Sequence, residues 1–264
     1  MSDLILSILL GLVQGLTEFL PISSSAHLLL PQLIFDSNDL GLSFDIAVHA
    51  GTLVAVIYFF RSEIALMTKS VFVNSSNYAK HKKLALYLII ATLPIVFAGF
   101  VFADILEQRV LSEKLTIAIS NLFFAAILLI AFIKRKTDKG LFELTLYGAI
   151  LIGLLQCFAL IPGASRSGTA ITAALLIGMN LKDASKFSFM LGIPTILGAI
   201  VLLVIQIQTL DIDFNFTHLM IGFFVSMIFA FFTIKLFLDF VEKIGMTPFV
   251  IYRIFLGISL LLII

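Results

Sequence analysis

The N-terminal segment of this 264-residue chain carries the residue types that phosphoryl transfer requires. A glutamine and a glutamate share one helical face and are followed by three serines and a histidine, at Gln14, Glu18, Ser23, Ser24, Ser25 and His27. An ionisable group inside a bilayer costs roughly 2.5 kcal/mol or more, so such a residue is a functional candidate. The serines and the histidine begin a predicted helix, whose free N–H groups favour an anion. Sequence spacing leaves open whether the histidine or a serine would be the nucleophile.

A second polar interruption lies about half the chain further on. The sequence PGASRS at 162–167 breaks an apolar stretch and begins another helix. Arg166 can grip phosphate oxygens through two parallel hydrogen bonds. Ser165, Ser167 and Thr169 offer hydroxyls beside it. We expect the two helix starts to meet on one anion and to form a site for phosphoryl transfer.

The composition places this site in a membrane. Hydrophobic residues make up 61% of the chain and charged residues 12%, which excludes an ordinary soluble domain. A net charge of +1 and dispersed basic residues argue against nucleic acid as a partner. The single cysteine, Cys157, excludes an intrachain disulfide, and we expect it to be a packed apolar residue.

The apolar segments predict an all-α membrane protein with two broken helix pairs. Leu4–Leu20 and the shorter Ser24–Phe35 flank one break, and Leu144–Ile161 and Thr169–Met179 flank the other. A full crossing needs roughly 20 residues, so each pair is predicted to be re-entrant. Ser23 or Ser24 is a candidate N-cap for the first short helix.

Six further segments are predicted to cross the bilayer, three after each broken pair. They are Phe44–Phe60, Leu84–Ala103, Leu115–Ile133, Phe187–Ile207, Leu219–Leu238 and Phe249–Ile264. Basic residues in the loops at 61–83 and 134–139 predict a cytoplasmic side, whereas the loop at 208–215 has two aspartates and no base. The first pair then enters from outside and the second from the cytoplasm. We therefore predict a single membrane domain built from an inverted repeat, about 1–140 and 141–264.

Asp45 and His49 form another pair four residues apart, at the start of the first predicted span. They could lie near the outer mouth and assist the site. The simpler interpretation is that His49 is only hydrogen-bonded in the protein interior.

With these residues assembled, the sequence resembles the undecaprenyl-diphosphate phosphatase family of bacteria, also called the bacitracin-resistance family. The segment QGLTEFLPISSSAH, from Gln14 to His27, and PGASRS at 162–167 carry the resemblance. FDIAVHAG at 44–51 and the pair Tyr252-Arg253 extend it over the whole length. The resemblance implies hydrolysis of undecaprenyl diphosphate to the monophosphate, recycling of the cell-wall lipid carrier, and resistance to bacitracin.

The family motifs assign roles residue by residue. Glu18, His27 and Arg166 take the catalytic positions, Ser24 takes a position for which a nucleophilic role is plausible, and Gln14 takes an acidic-or-amide position. A divalent cation, Mg²⁺ or Ca²⁺, is implied as cofactor by the resemblance only, with Glu18 as the candidate ligand. Two positions depart from the pattern. Gln14 cannot ionise and so cannot be a general base, and Ala170 stands where the family tends to have threonine.

A lipid-carrier flippase or transporter is the main alternative, because inverted repeats with broken helices are common among transporters. A transporter needs no nucleophile, so His27→Ala would leave transport partly intact but would abolish phosphatase turnover. The resemblance implies a multi-pass protein of the bacterial inner membrane. The loop charges, which place the first broken pair outside, predict that its site opens to the outer, periplasmic side. A monomer and a homodimer both remain open, as does the prenyl chain length.

Overall fold

The computed structural model describes residues 2–35, 38–73, 75–103, 113–135, 139–207 and 215–263. These residues form helices and turns, with no β-strand among them. The helices are α1 (Asp3–Thr17), α2 (Ser24–Phe35), α3 (Gly41–Phe59), α4 (Arg61–Phe72), α5 (Ala79–Val101), α6 (Lys114–Lys134), α7 (Leu146–Gln156), α8 (Arg166–Leu176), α9 (Leu181–Ile207), α10 (Phe216–Ile244) and α11 (Thr247–Ile263).

Five helices, α3, α5, α6, α9 and α10, are long and apolar enough to cross a membrane, so the chain is a multi-pass membrane protein. They coincide with five of the six predicted spans. The sixth predicted span, Phe249–Ile264, corresponds to α11, an apolar helix of 17 residues that is shorter than the other five.

Both predicted breaks are present, and they have the same local geometry. A turn separates α1 from α2, and the 3-10 turn Cys157–Leu160 with the residues after it separates α7 from α8. Ser23 and Ser165, the residues just before the two short helices, have φ values of 71° and 73°. The second short helix begins at Arg166, three residues before the predicted start, because Ser165 caps it by accepting a hydrogen bond from the Gly168 N–H at 3.1 Å.

The helices of the two halves pack in corresponding pairs. α1 lies against α10 as α7 lies against α5, and α3 contacts α10 as α9 contacts α5. α6 packs on α11, and α3 packs on α9. Glycines permit the closest crossings, since a Cβ at Gly15 would lie 2.7 Å from the Ser226 carbonyl and one at Gly153 would lie 2.6 Å from the Ala91 carbonyl.

Two loop predictions meet the structure differently. The basic segment at 61–83 contains α4, an unpredicted helix that packs mainly on α5. The acidic stretch at 208–214, which supported the orientation, lies outside the described residues.

Candidate active site

Glu18 is the centre of the polar cluster between the two breaks. It caps the C-terminal end of α1 and is buried, with 7% of its surface exposed. Its Oε2 accepts hydrogen bonds from Ser24 Oγ at 2.7 Å and from Gln14 Nε2 at 3.0 Å, and its Oε1 accepts one from Arg166 Nη2 at 2.9 Å. The carboxylate thus joins a hydroxyl from the first break to a guanidinium from the second.

Arg166 is the first residue of α8 and points across to the first half of the chain. Its Nη1 donates to the Ser188 carbonyl at 3.0 Å, and its guanidinium lies 5.6 Å from the centre of the Phe19 ring. Gly192 on α9 leaves the space that the guanidinium fills. Among the described residues, Glu18 and Ser188 take two of the five N–H donors of Arg166, which leaves three without a protein acceptor.

The three consecutive serines of the first break differ in their surroundings. Ser23 caps α2, with its Oγ 3.5 Å from the Ala26 N–H, and its Oγ lies 3.2 Å from Ser25 Oγ. Ser24 donates to Glu18, as described above. Ser25 is exposed and lines a cavity of about 570 Å³ that opens beside the cluster. The hydroxyl nearest to a proton acceptor is therefore that of Ser24.

The predicted hydroxyls of the second break are buried and bonded to the protein. Ser165 Oγ lies 3.2 Å from Ser167 Oγ, which repeats the pairing of Ser23 with Ser25. Ser167 donates to the Leu20 carbonyl at 2.8 Å and so ties the two breaks directly together. Thr169 donates to the Arg166 carbonyl at 3.0 Å within α8. These three hydroxyls therefore hold the backbone and side chains around the site in position.

His27 lies in the first turn of α2 but does not hydrogen-bond Glu18 or Ser24. Its Nδ1 is 2.7 Å from the Ser23 carbonyl, which can only accept, so Nδ1 carries the proton. Its Nε2 therefore accepts from the Tyr252 hydroxyl at 2.5 Å, and the two rings stack 5.5 Å apart. The Nε2 lone pair that a nucleophile would use is engaged by Tyr252.

His49 was interpreted as a residue that is only hydrogen-bonded in the interior, but it lies close to Glu18. Its Nδ1 is 2.7 Å from the Asp45 carbonyl, and its Nε2 is 3.9 Å from Glu18 Oε2. Both Asp45 and His49 line the cavity. The spacing of these two residues at the start of α3 was the sequence signal for this position.

Sequence reasoning missed the structural part played by Arg253, which had served only to extend the resemblance. This arginine of α11 is wholly buried and donates to backbone carbonyls of both breaks, at Pro21, Gly163 and Ala164. The criterion applied to Arg166, an arginine in apolar surroundings, would have identified it.

The donors at Glu18 fit the implied divalent cation only if the protein supplies few of its ligands. No group of three or more His, Cys, Asp or Glu side chains in the described residues is arranged for a metal. Gln14 Oε1, however, is buried and has no hydrogen-bond partner among the described residues, and the amide group that carries it donates to Glu18. Mg²⁺ accepts one carboxylate and neutral oxygens when substrate phosphates and water complete its shell, so this pair suits a cation that arrives with a diphosphate.

Comparison with known proteins places these residues in a family. A sequence-family profile described as Bacitracin resistance protein BacA matches residues 7–259. The chain is similar to a protein named Undecaprenyl-diphosphatase from Alcanivorax borkumensis, with 44% identity over 257 residues that cover 97% of each chain. It is 42% identical to a protein of the same name from Saccharophagus degradans over 261 residues, 98% of this chain and 97% of the relative.

A third relative, Undecaprenyl-diphosphatase 1 from Pseudoalteromonas translucida, is 40% identical over 256 residues, 96% of each chain. The matched residues include both breaks and the helix that carries Arg253. The chain therefore belongs to the bacitracin resistance protein BacA family.

Proposed function

We propose that this protein hydrolyses undecaprenyl diphosphate to undecaprenyl phosphate and inorganic phosphate. The observation that carries the proposal is the meeting of Ser24 and Arg166 on the single buried carboxylate of Glu18. Relatives that are 40–44% identical over nearly the full length bear the name undecaprenyl-diphosphatase. The product would return to cell-wall synthesis as a lipid carrier. Removal of the diphosphate, which bacitracin sequesters, would give resistance.

Substrate binding follows from the charges at the two helix starts. The terminal phosphoryl group would lie between the N-terminal ends of α2 and α8, which present free backbone N–H groups. The three unused N–H donors of Arg166 would hold its oxygens. The apolar wall of the cavity, with Leu28, Leu29 and Leu202 among its residues, would receive the first part of the prenyl chain.

Ser24 is the nucleophile that the geometry supports. Its Oγ would attack the terminal phosphorus while its proton moves 2.7 Å to Glu18 Oε2. A new Oγ–P bond forms and the bond from phosphorus to the bridging oxygen breaks, so undecaprenyl phosphate leaves with the bridging oxygen. Water would then attack the phosphoserine and the bond from phosphorus to Oγ would break, while Glu18 returns its proton to the departing Ser24 Oγ. Both protons of the water leave with the phosphate as H₂PO₄⁻, so the Ser24 hydroxyl and the Glu18 carboxylate are restored.

His27 would act by holding the start of α2. Its ring links the Ser23 carbonyl to Tyr252, which places Ser24 and its neighbours against Glu18. Gln14 would position the carboxylate, since its amide donates to Glu18. A bound divalent cation, held by Glu18 and Gln14, would neutralise charge on the diphosphate.

We propose the membrane arrangement on the same basis. The two broken pairs would be re-entrant, α11 would complete six crossings with some local thinning of the bilayer, and the corresponding helix pairs would be halves of an inverted repeat. The protein would lie in the bacterial inner membrane with the site open to the periplasmic side. In the described residues, no contact favours the transporter alternative.

Phosphate release from a long-chain prenyl diphosphate by purified protein in detergent tests the proposal. We expect wild type to release phosphate in the presence of Mg²⁺ or Ca²⁺. In Ser24→Ala the rate of release should fall by a factor on the order of 100 or more. Ser25→Ala is the matched control, because its hydroxyl does not contact Glu18. Absence of release from folded wild type with the cation supplied would refute the phosphatase and would revive the transporter.

A further inference from the structure

Arg253 is a charged side chain that helps to carry the resemblance but to which the proposed chemistry gives no part. It lies within α11 and has no exposed surface. A guanidinium removed from water is tolerated when its donors are satisfied. Four of the five N–H donors of Arg253 bond backbone carbonyls. Carbonyls carry no net charge, so these four hydrogen bonds join the guanidinium to backbone oxygens and not to a charged side chain.

The carbonyls that Arg253 holds come from both breaks. Nη1 donates to Pro21 at 3.2 Å, two residues before the cap of α2. Nη2 donates to Gly163 at 2.8 Å and to Ala164 at 3.2 Å, just before the cap of α8. One planar group therefore bridges the two turns that lead into the short helices.

Asn121 on α6 fixes Arg253 itself. Its side-chain Nδ2 donates to the backbone carbonyl of Arg253 at 2.7 Å, and the backbone carbonyl of Asn121 accepts from Arg253 Nε at 3.3 Å. The guanidinium is thus held from a third helix and has little freedom to follow either break. A change in its shape or position would pass directly to the distance between the two turns.

We infer that Arg253 is a positioning residue for hydrolysis, because it sets the spacing at which Ser24 and Arg166 reach the same carboxylate. The inference rests on the proposed function for its effect on turnover, although the spacing itself can be measured without activity. Reacting groups misplaced by about 1 Å lose on the order of 100-fold in rate. Lysine at 253 keeps the charge but has a single ammonium and cannot bridge both turns in one plane.

Gly168 supplies a second way to disturb the contact between the guanidinium and the start of α8. A Cβ at Gly168 would lie 3.1 Å from Arg253 Nη1 and also 3.1 Å from Cβ and Oγ of Ser165, so the guanidinium or the capping serine has to move by a few tenths of an ångström. Alanine is also the better helix former, so Gly168→Ala favours α8 itself. A loss of turnover in this variant without a lower Tm would separate positioning from loss of fold.

Kinetics are the first test. We expect kcat to fall about tenfold or more in Arg253→Lys and severalfold in Gly168→Ala, with KM within about threefold of wild type because Arg166 still meets the diphosphate. The double variant would lose less than the product of the two single losses, since both substitutions disturb the turn that leads into α8. Arg61→Lys, on the exposed start of α4, is the control and would keep full kcat. Unchanged kcat in Arg253→Lys would overturn the inference.

Spin-label distances are the second test. Labels at Gln32→Cys on α2 and Leu176→Cys on α8, both exposed, report the spacing in a Cys157→Ser background. We expect one narrow distance distribution in the parent and a shifted or broadened one with Arg253→Lys or Gly168→Ala. Identical distributions would overturn the inference. Inactive wild type with a distance that depends on Arg253 would overturn the proposed function and leave the spacing role standing.

Discussion

Gly192 on α9 is an unobtrusive residue whose substitution tests the position of Arg166. A Cβ built on Gly192 would lie 2.5 Å from Arg166 Nη1 and 2.9 Å from its Cζ and Nη2. These atoms are at the far end of a flexible side chain, so Gly192→Ala would move the guanidinium and leave the backbone in place. Alanine also favours the helix. We expect the variant to fold with a Tm equal to or above that of wild type.

The displacement sets the expected loss of activity. Ordinary van der Waals contact begins at 3.4 Å, so the guanidinium has to retreat by about 0.9 Å. Nη1 bonds Ser188, and Nη2, which has to move by about 0.5 Å, bonds Glu18, so the movement would displace both hydrogen bonds of the guanidinium from their present geometry. Loss of a charge-assisted hydrogen bond, worth about 1.5–3 kcal/mol, and misplacement by about 1 Å both predict a fall in kcat/KM on the order of 10- to 200-fold.

The measurement is phosphate release from a long-chain prenyl diphosphate, with Tm measured on the same preparation. Val201→Ala is the matched control, since it lies on the same helix, has 51% of its surface exposed and does not line the cavity. It would retain wild-type kcat/KM. Full activity in Gly192→Ala would refute the placement of Arg166 against α9.

Three further variants probe the cluster around the carboxylate by the same assay. Glu18→Gln removes both the proton acceptor of Ser24 and the charge that holds Arg166, so kcat should fall on the order of 1,000-fold; near-normal kcat would contradict the assignment of the base. Tyr252→Phe removes the hydroxyl on His27 Nε2, and we expect about a tenfold loss from a looser α2, whereas no loss would make that bond incidental. Gln14→Glu adds a second carboxylate 3.0 Å from the first, so the Mg²⁺ concentration for half-maximal activity should fall in EDTA-buffered titrations; an unchanged value would argue against a cation at this position.

The polar elements of the site were predictable because they depend on short spacings. Gln14 and Glu18, four residues apart on a helix, were expected on one face, and they are hydrogen-bonded at 3.0 Å. The prolines at 21 and 162 marked the two breaks, and a serine caps each helix that follows. The convergence of Glu18 with Arg166 could be anticipated only from the correspondence between the halves, and the structure brings the two together.

What the sequence did not predict depends on the direction of side chains and on distant contacts. His27 shares a helical turn with Ser24, yet its ring turns to Tyr252, 225 positions away in the chain. The partners of Arg253 lie 232, 132, 90 and 89 positions away, and no local pattern reports them. Hydropathy also does not decide whether α11 crosses the membrane, because an apolar helix of 17 residues falls near the lower limit of length for a crossing.

The central claim is that the two breaks form one active site, and a double-mutant cycle tests it most directly. Phosphate release by wild type, Ser24→Ala, Arg166→Ala and the double variant would be measured under one set of conditions. Substitutions of groups that act on the same phosphoryl transfer have strongly non-additive effects. The double variant should therefore release phosphate only slightly more slowly than the less active of the two single variants. Losses that multiply independently, or full turnover in Arg166→Ala, would contradict a shared site.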